Sequence, residues 1–341
     1  MNHNVPAIEV RDLTKWYGPA DRPSSVLAVD QVSFRVRPGE FFGFLGPNGA
    51  GKTTTIRMLT GLTKPTSGTM TVTGLDVADH LVEVKERIGV VSDVANLYEE
   101  MSAWDNLTFL ARLQGMARRR RIERGKALLR FLDLYECRGR PVGTFSTGQR
   151  KRLMIAAALI HEPQILFLDE PTTGLDVRSA RRIRELLSEL NDRGVTIFLT
   201  THYIEEADQL CRRIAIINQG RIVTVETPEG LKNQIQSKKV IEVSFDRVAD
   251  GISQRLRALD GVEEVIILGD RVRLTVPDPS QVLPSMMEVV RQSPLKIAAV
   301  NTMRPSLEDA FVALTGLDPE AMAAEESMFG GKGETCEQEV D

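Results

Sequence analysis

The stretch Gly46-Pro47-Asn48-Gly49-Ala50-Gly51-Lys52-Thr53-Thr54 constrains this chain most, because it fits the phosphate-binding pattern G-x-x-x-x-G-K-[ST] without a mismatch. It follows an apolar run, Phe41 to Leu45, that reads as a strand, and precedes Thr55-Ile56-Arg57-Met58-Leu59, the first turns of a helix. In that setting the glycines let the backbone curl so that successive N–H groups point at phosphate oxygens, and the helix start adds its positive dipole. Lys52 is expected to reach the β- and γ-phosphates of a nucleotide, and the Thr53 hydroxyl to reach Mg²⁺.

The rest of the chain is ordinary for a water-exposed globular protein, with 341 residues, 42% hydrophobic and 26% charged. That length suits two domains. The net charge is −4, and from Leu317 to Asp341 eight acids face one lysine, which leaves the remainder slightly positive. No broad basic character argues for nucleic acid. Cys137, Cys211 and Cys336 are odd in number and far apart, which suggests reduced thiols and no disulfide frame. The N-terminus lacks a basic segment followed by an apolar core, so no signal peptide is expected. No apolar run approaches the length that spans a bilayer, so any membrane part would belong to another chain.

Along the chain, 7–37 reads as strands and turns around the breaker-rich loop Gly18 to Ser25. About 93–140 is helical in pattern, with Trp104, Leu107, Leu110 and Leu113 at three- and four-residue spacing, and reads as a helical insertion whose helices are joined by Arg118-Arg119-Arg120-Arg121. A solvated turn is the main expectation for that run, with contact to anionic lipid as the alternative. Strand–helix alternation returns over 165–226, where Ile165 to Leu168 is continuously apolar, as a parallel strand buried on both faces is, and Val195 to Leu199 reads as another buried strand. From about 239 the order becomes β-α-β-β-α-β through 316, a small ferredoxin-like α+β pattern. The acidic tail 317–341 is expected to be disordered.

The apolar run Ile165 to Leu168 ends in Asp169-Glu170. Acids at the C-terminal end of a buried strand sit where α/β folds bind their ligands. Asp169 is expected to hold Mg²⁺, and Glu170 to act as general base on the attacking water.

With these residues the chain resembles the ATP-binding subunit of an ABC transporter, an α/β P-loop NTPase fold with an inserted helical subdomain. Phe145-Ser146-Thr147-Gly148-Gln149-Arg150 is similar to the family signature L-S-G-G-Q, and Gln149 stands 16 residues before Ile165. The resemblance implies that two ATPs bind between head-to-tail subunits, with Ser146, Thr147, Gly148 and Gln149 completing the partner's site. It further implies that Tyr17, or Trp16 beside it, stacks on adenine, that Asp176 in Gly174-Leu175-Asp176 crosses the dimer interface, and that His202 touches the γ-phosphate. The resemblance is close over about Ile8 to Leu231, within an ATPase domain expected over 7–235. The accessory domain, 239–316, resembles the extension of drug-resistance exporter subunits, which implies a separate membrane-spanning permease, a peripheral place on the cytoplasmic face of the membrane, and export.

Two positions depart from the pattern. Asp93 stands where the family has Gln as a metal-site and coupling residue, which adds a negative charge and shortens the reach. Thr147 replaces the first signature glycine, a change the backbone donors survive unless φ there must be positive. A soluble ABC-type ATPase acting on ribosomes or DNA is the rival reading. The single phosphate loop and the lack of sustained heptads weigh against it.

Overall fold

The computed structural model describes residues 5–18, 25–92, 97–234, 239–247, 251–303 and 306–317. The chain forms two compact units that divide between Thr227 and Pro228.

The first unit begins with β1 (Ile8–Tyr17), β2 (Val26–Val36), β3 (Phe41–Leu45), α1 (Lys52–Leu59), β4 (Ser67–Val72), β5 (Leu75–Asp76), α2 (Leu81–Arg87) and β6 (Ile88–Val91). It continues through α3 (Ala103–Leu113), α4 (Arg118–Phe131), α5 (Thr147–Leu159), β7 (Ile165–Asp169), α6 (Val177–Asp192), β8 (Thr196–Thr201), α7 (Ile204–Leu210), β9 (Arg213–Asn218) and β10 (Arg221–Glu226).

Two sheets result. One is antiparallel, in the order β2-β1-β4-β5. The other runs β10-β9-β3-β8-β7-β6, parallel except for the β9–β10 hairpin. Every residue of β3, β7 and β8 is buried, which explains their unbroken apolar runs. The sparse aromatics collect in this core: Phe34, Phe42, Phe44, Phe167 and Phe198 contact one another at centroid distances of 5.5–5.8 Å.

The helical pattern after β6 condenses into α3, α4 and α5. Ser102 caps α3 by accepting from Asp105 N at 3.0 Å. Asn106 is fully buried and exchanges two 2.8 Å hydrogen bonds with the Tyr98 backbone. Gly125 of α4 lies against the Trp104 ring, where a Cβ would come within 3.3 Å. The arginine run is not the joining turn that the sequence suggested. It forms the first turn of α4, where Arg119 pairs with Glu123 at 3.0 Å and Arg120 with Glu162. Those acids offset the repulsion of arginines from the positive end of a helix.

The second unit holds α8 (Pro228–Gln234), β11 (Lys239–Phe245), α9 (Ser253–Arg257), β12 (Glu264–Leu268), β13 (Arg271–Val276), α10 (Pro279–Arg291), β14 (Ile297–Met303) and α11 (Leu307–Thr315). Its sheet runs β12-β13-β11-β14, antiparallel throughout, which is the ferredoxin-like arrangement. Ile241, Val243, Leu256, Val272, Leu274, Val282 and Met286 share its own core. The acidic segment from 318 lies outside the described residues.

Candidate active site

The site grows from the C-terminal ends of β3, β7 and β8. Gly46 leaves β3 so close to β9 that a Cβ there would stand 2.2 Å from Ile217 O. Gly51 caps α1 at φ 105°, and a Cβ on it would meet Ala28 O at 2.5 Å. These two positions demand glycine through contact with the fold itself as well as through phosphate access. The β9–β10 turn, Gln219-Gly220, braces the loop from behind: Gly220 N–H donates to Ala50 O at 3.0 Å, and Gly220 O accepts from Asp30 N at 2.8 Å.

The Lys52 side chain is buried. Its Nζ donates to Gly46 O at 2.7 Å and Pro47 O at 3.1 Å, and it pairs with Glu170 Oε1 at 3.0 Å. Glu170 follows the end of β7 in the left-handed region, at φ 48°, a costly conformation for a side-chain-bearing residue and one that concentrates at functional sites. Its N–H donates to Thr200 O at 3.1 Å, and its Oε2 lies 2.8 Å from His202 Nδ1. The proton of that bond sits on Nδ1, because a carboxylate only accepts. Burial pushes the Glu170 carboxyl up, but the His202 hydrogen bond and the Lys52 charge together outweigh it and hold the group below the usual carboxylate range. Glu170 is therefore ionised near neutrality. Asp169, one residue earlier, is buried and accepts a hydrogen bond from the Thr200 hydroxyl.

A cleft of about 350 Å³ gathers Pro47, Asn48, Gly49, Gly51, Lys52, Thr53 and Thr54 with Asp169, Glu170 and His202. Gly46 stands behind this lining and holds Lys52, and Ala50 is buried against the Gly220 turn. The structure does not bring Tyr17 into the lining. It lies exposed at the end of β1, with Lys15 Nζ 5.2 Å from its ring centroid. Asp93 lies outside the described residues.

Ser146, Thr147, Gly148 and Gln149 form a second locus, apart from this cleft. Ser146 and Gln149 make a capping box at the start of α5. Thr147 opens the helix without positive φ, so nothing there requires glycine. A Cβ on Gly148 would stand 2.8 Å from Ser179 Oγ, which sets the signature turn against the start of α6. Asp176 caps α6, accepting from Ser179 N at 2.9 Å and Ser179 Oγ at 2.7 Å, bonds that hold its carboxyl below the usual range.

Sequence reasoning missed Ala28 and Thr173, which also line the cleft, and the bracing Gly220. It also missed Glu206, a buried acid on α7. The only local signal for Gly220 was its place in a hairpin turn, and Glu206 gave none within a polar helix start.

A model of the ABC transporter family matches residues 29–173. The chain is 39% identical over 302 residues to a daunorubicin resistance ATP-binding protein of Streptomyces coeruleorubidus, covering 88% of this chain and 94% of that one. The chain belongs to the ABC transporter ATP-binding proteins. This ABC ATPase is also 38% identical over 318 residues to the Nod factor export ATP-binding protein I of a Rhizobium etli strain, covering 93% and 95% of the two chains. Matches of that length extend well past Thr227, so these relatives share most of the second unit. Among solved structures, a dimeric ATP-binding cassette in a post-hydrolysis state, bound to ADP and Pi, covers 64% of this ABC ATPase and 98% of itself, with a TM-score of 0.59 and 27% identity. The fold is that of the P-loop ABC cassette, and the protein binds and hydrolyses ATP as the subunit that powers a transporter. Among the described residues, no helix is long and apolar enough to cross a membrane.

Proposed function

We propose that this ATPase drives export through a separate membrane-spanning chain, sits peripherally on the cytoplasmic face of the membrane, and works as a head-to-tail homodimer. The observation that carries the hydrolytic part is the line Lys52–Glu170–His202, an ion pair followed by a hydrogen bond, in one cleft with the phosphate loop. The export reading draws on relatives named for drug resistance and Nod factor export. No nucleic-acid partner is needed.

In this reading the loop N–H groups from Gly49 to Thr54 and Lys52 bind the triphosphate. An arriving γ-phosphate competes with Glu170 for Lys52. Glu170, held ionised and oriented by His202, accepts a proton from water as the water oxygen attacks the γ-phosphorus and the bond to the ADP oxygen breaks. His202 also senses the γ-phosphate. The Thr53 hydroxyl and the Asp169 carboxylate are hard oxygen donors lining the same cleft, as Mg²⁺ requires. Among the described residues no group of three or more His, Cys, Asp or Glu forms a cage, which fits an ion completed by phosphate and water. Bound there, Mg²⁺ would neutralise charge developing on the phosphates. Asp93 joins this set, and Tyr17 takes the adenine.

Ser146, Thr147, Gly148, Gln149 and Asp176 reach the partner subunit's nucleotide. ATP then favours the closed dimer, and hydrolysis reopens it. A groove of about 370 Å³ between β6, α3 and α5, walled by Val90, Leu110, Leu113 and Met154, receives a helix of the membrane chain. It is flanked by Ser92 and Leu97, which bracket the Asp93 segment, so closure is transmitted there. The test is purification of tagged Glu170→Gln protein from native membranes with ATP. Bound ATP without turnover, and one polytopic membrane protein alongside it, are expected. Ribosomal or DNA-associated partners would overturn the reading.

A further inference from the structure

Glu206 lies in the first turn of α7, four residues past His202, and is only 2% exposed. Thr172 Oγ1 donates to its Oε1 at 3.0 Å. Thr172 is itself buried, two residues beyond Glu170, and its neighbour Thr173 lines the cleft and donates to Glu170 Oε2 at 3.3 Å. Thr201, which ends β8 directly before His202, is fully buried. One carboxyl on the helix that follows His202 thus holds the segment that follows Glu170.

A buried acid is costly unless partnered, and an apolar residue would fill the same space without that cost. What the acid provides is a bond to Thr172 next to a strained residue. The left-handed backbone of Glu170 persists only while its surroundings over-determine it. Burial first, and the nearby Glu170 charge with it, keeps the Glu206 carboxyl above its usual range, against the pull of the Thr201 and Thr172 hydroxyls.

We propose that Glu206 is a positioning residue for ATP hydrolysis: its carboxyl ties the segment after β7 to the start of α7, just past His202, and so keeps Glu170 within hydrogen-bond reach of His202. This rests on the assignment of Glu170 and His202 to hydrolysis. The test is steady-state ATPase kinetics of the full chain, with trinitrophenyl-ATP titration for nucleotide affinity. Glu206→Ala is expected to lower kcat about tenfold or more, since small misplacements of reacting groups cost that much. KM and nucleotide affinity should stay within about twofold, because binding is not what Glu206 supports. Glu206→Gln, which keeps an oxygen for Thr172, should recover most of the lost kcat. Thr172→Val removes the same bond from the other side and carries the test if Glu206→Ala does not fold. The pair Thr172→Val with Glu206→Ala should be no slower than either alone. Unchanged kcat in both single variants, or a loss of kcat and affinity together that Gln does not recover, overturns the proposal. Glu170→Gln run alongside separates the two layers: if it still turns over, the underlying assignment falls and this inference with it; if it is dead while Thr172→Val and Glu206→Ala are unaffected, only this inference falls.

Discussion

Gly220→Ala is the sharpest probe of how the fold holds the phosphate loop. Gly220 sits at φ 78°, and a Cβ there would stand 3.0 Å from Ala28 O and 3.3 Å from Val29 Cα. Alanine in that backbone region costs roughly 1–2 kcal/mol, before the backbone contact is counted. The turn can relieve this strain by moving away from β2, but Gly220 N–H then leaves Ala50 O in the middle of the loop. One backbone hydrogen bond is worth roughly 0.5–1.5 kcal/mol net. If that support is lost from the loop, ATP affinity should fall by up to about tenfold, since 1.4 kcal/mol is a factor of ten.

Gly269→Ala is the control. Gly269 turns between β12 and β13 in the second unit at φ 62°, and a Cβ added there would meet no atom within 4 Å. It carries the same kind of conformational strain without any link to the loop. Nucleotide titration and thermal unfolding of both variants separate the effects. Both should melt earlier, and only Gly220→Ala should bind ATP more weakly. Equal affinities within about twofold, with Gly220→Ala clearly destabilised, would refute the claim that the hairpin braces the phosphate loop.

Three further outcomes are expected. Because the folded pKa of Glu170 is lowered, its ionised form contributes stability and activity above its unfolded pKa, and both are lost as pH falls through the folded value. The acid limb of kcat/KM should therefore lie below that of an ordinary glutamate, and His202→Ala should move it upward; an unmoved limb would sever the two residues. Glu40, 3% exposed, takes Arg213 at 2.6 and 2.9 Å and Arg37 N at 2.7 Å, so Glu40→Ala should cost about 3 kcal/mol in urea unfolding, the low end for a broken buried pair because Arg213 keeps some access to water. Leu113→Asp, on the exposed rim of the apolar groove, should leave basal ATPase unchanged and abolish stimulation by the membrane partner; full stimulation would move the docking site elsewhere.

Much of this architecture was legible in the sequence, and what was not has identifiable causes. Strands β3, β7 and β8 announced themselves because burial on both faces demands unbroken apolar runs. Strand β4, Ser67–Val72, passed unnoticed because only Met70, Thr71 and Val72 are turned away from solvent and the rest is polar. Helix α2 is short, with Val84 as its single buried residue, too little for a periodic signal. The arginine run looked like a turn because four cations oppose a helix N-terminus. Acids at Glu123 and Glu162, the second of them 42 positions from its partner, make the helix tolerable, and a contact that distant is invisible in a window.

The same distinction separates the residues that sequence located from those it missed. Lys52, Asp169, Glu170 and His202 all fall within a few residues of a strand end, so a correct reading of three strands brings them together before any side chain is placed. Glu206, Thr172 and Gly220 act on those residues across packed backbone. Glu206 meets Thr172 from 34 positions away, and Gly220 meets Ala50 from the far end of the unit. Their partners are set by how α7 and the β9–β10 hairpin settle against the sheet, which no local motif encodes. A left-handed glutamate adds the reason such supports exist. Glu170 must leave its strand in a costly conformation for its carboxylate to meet both Lys52 and His202, and the elements packed behind it supply the constraint that keeps it there.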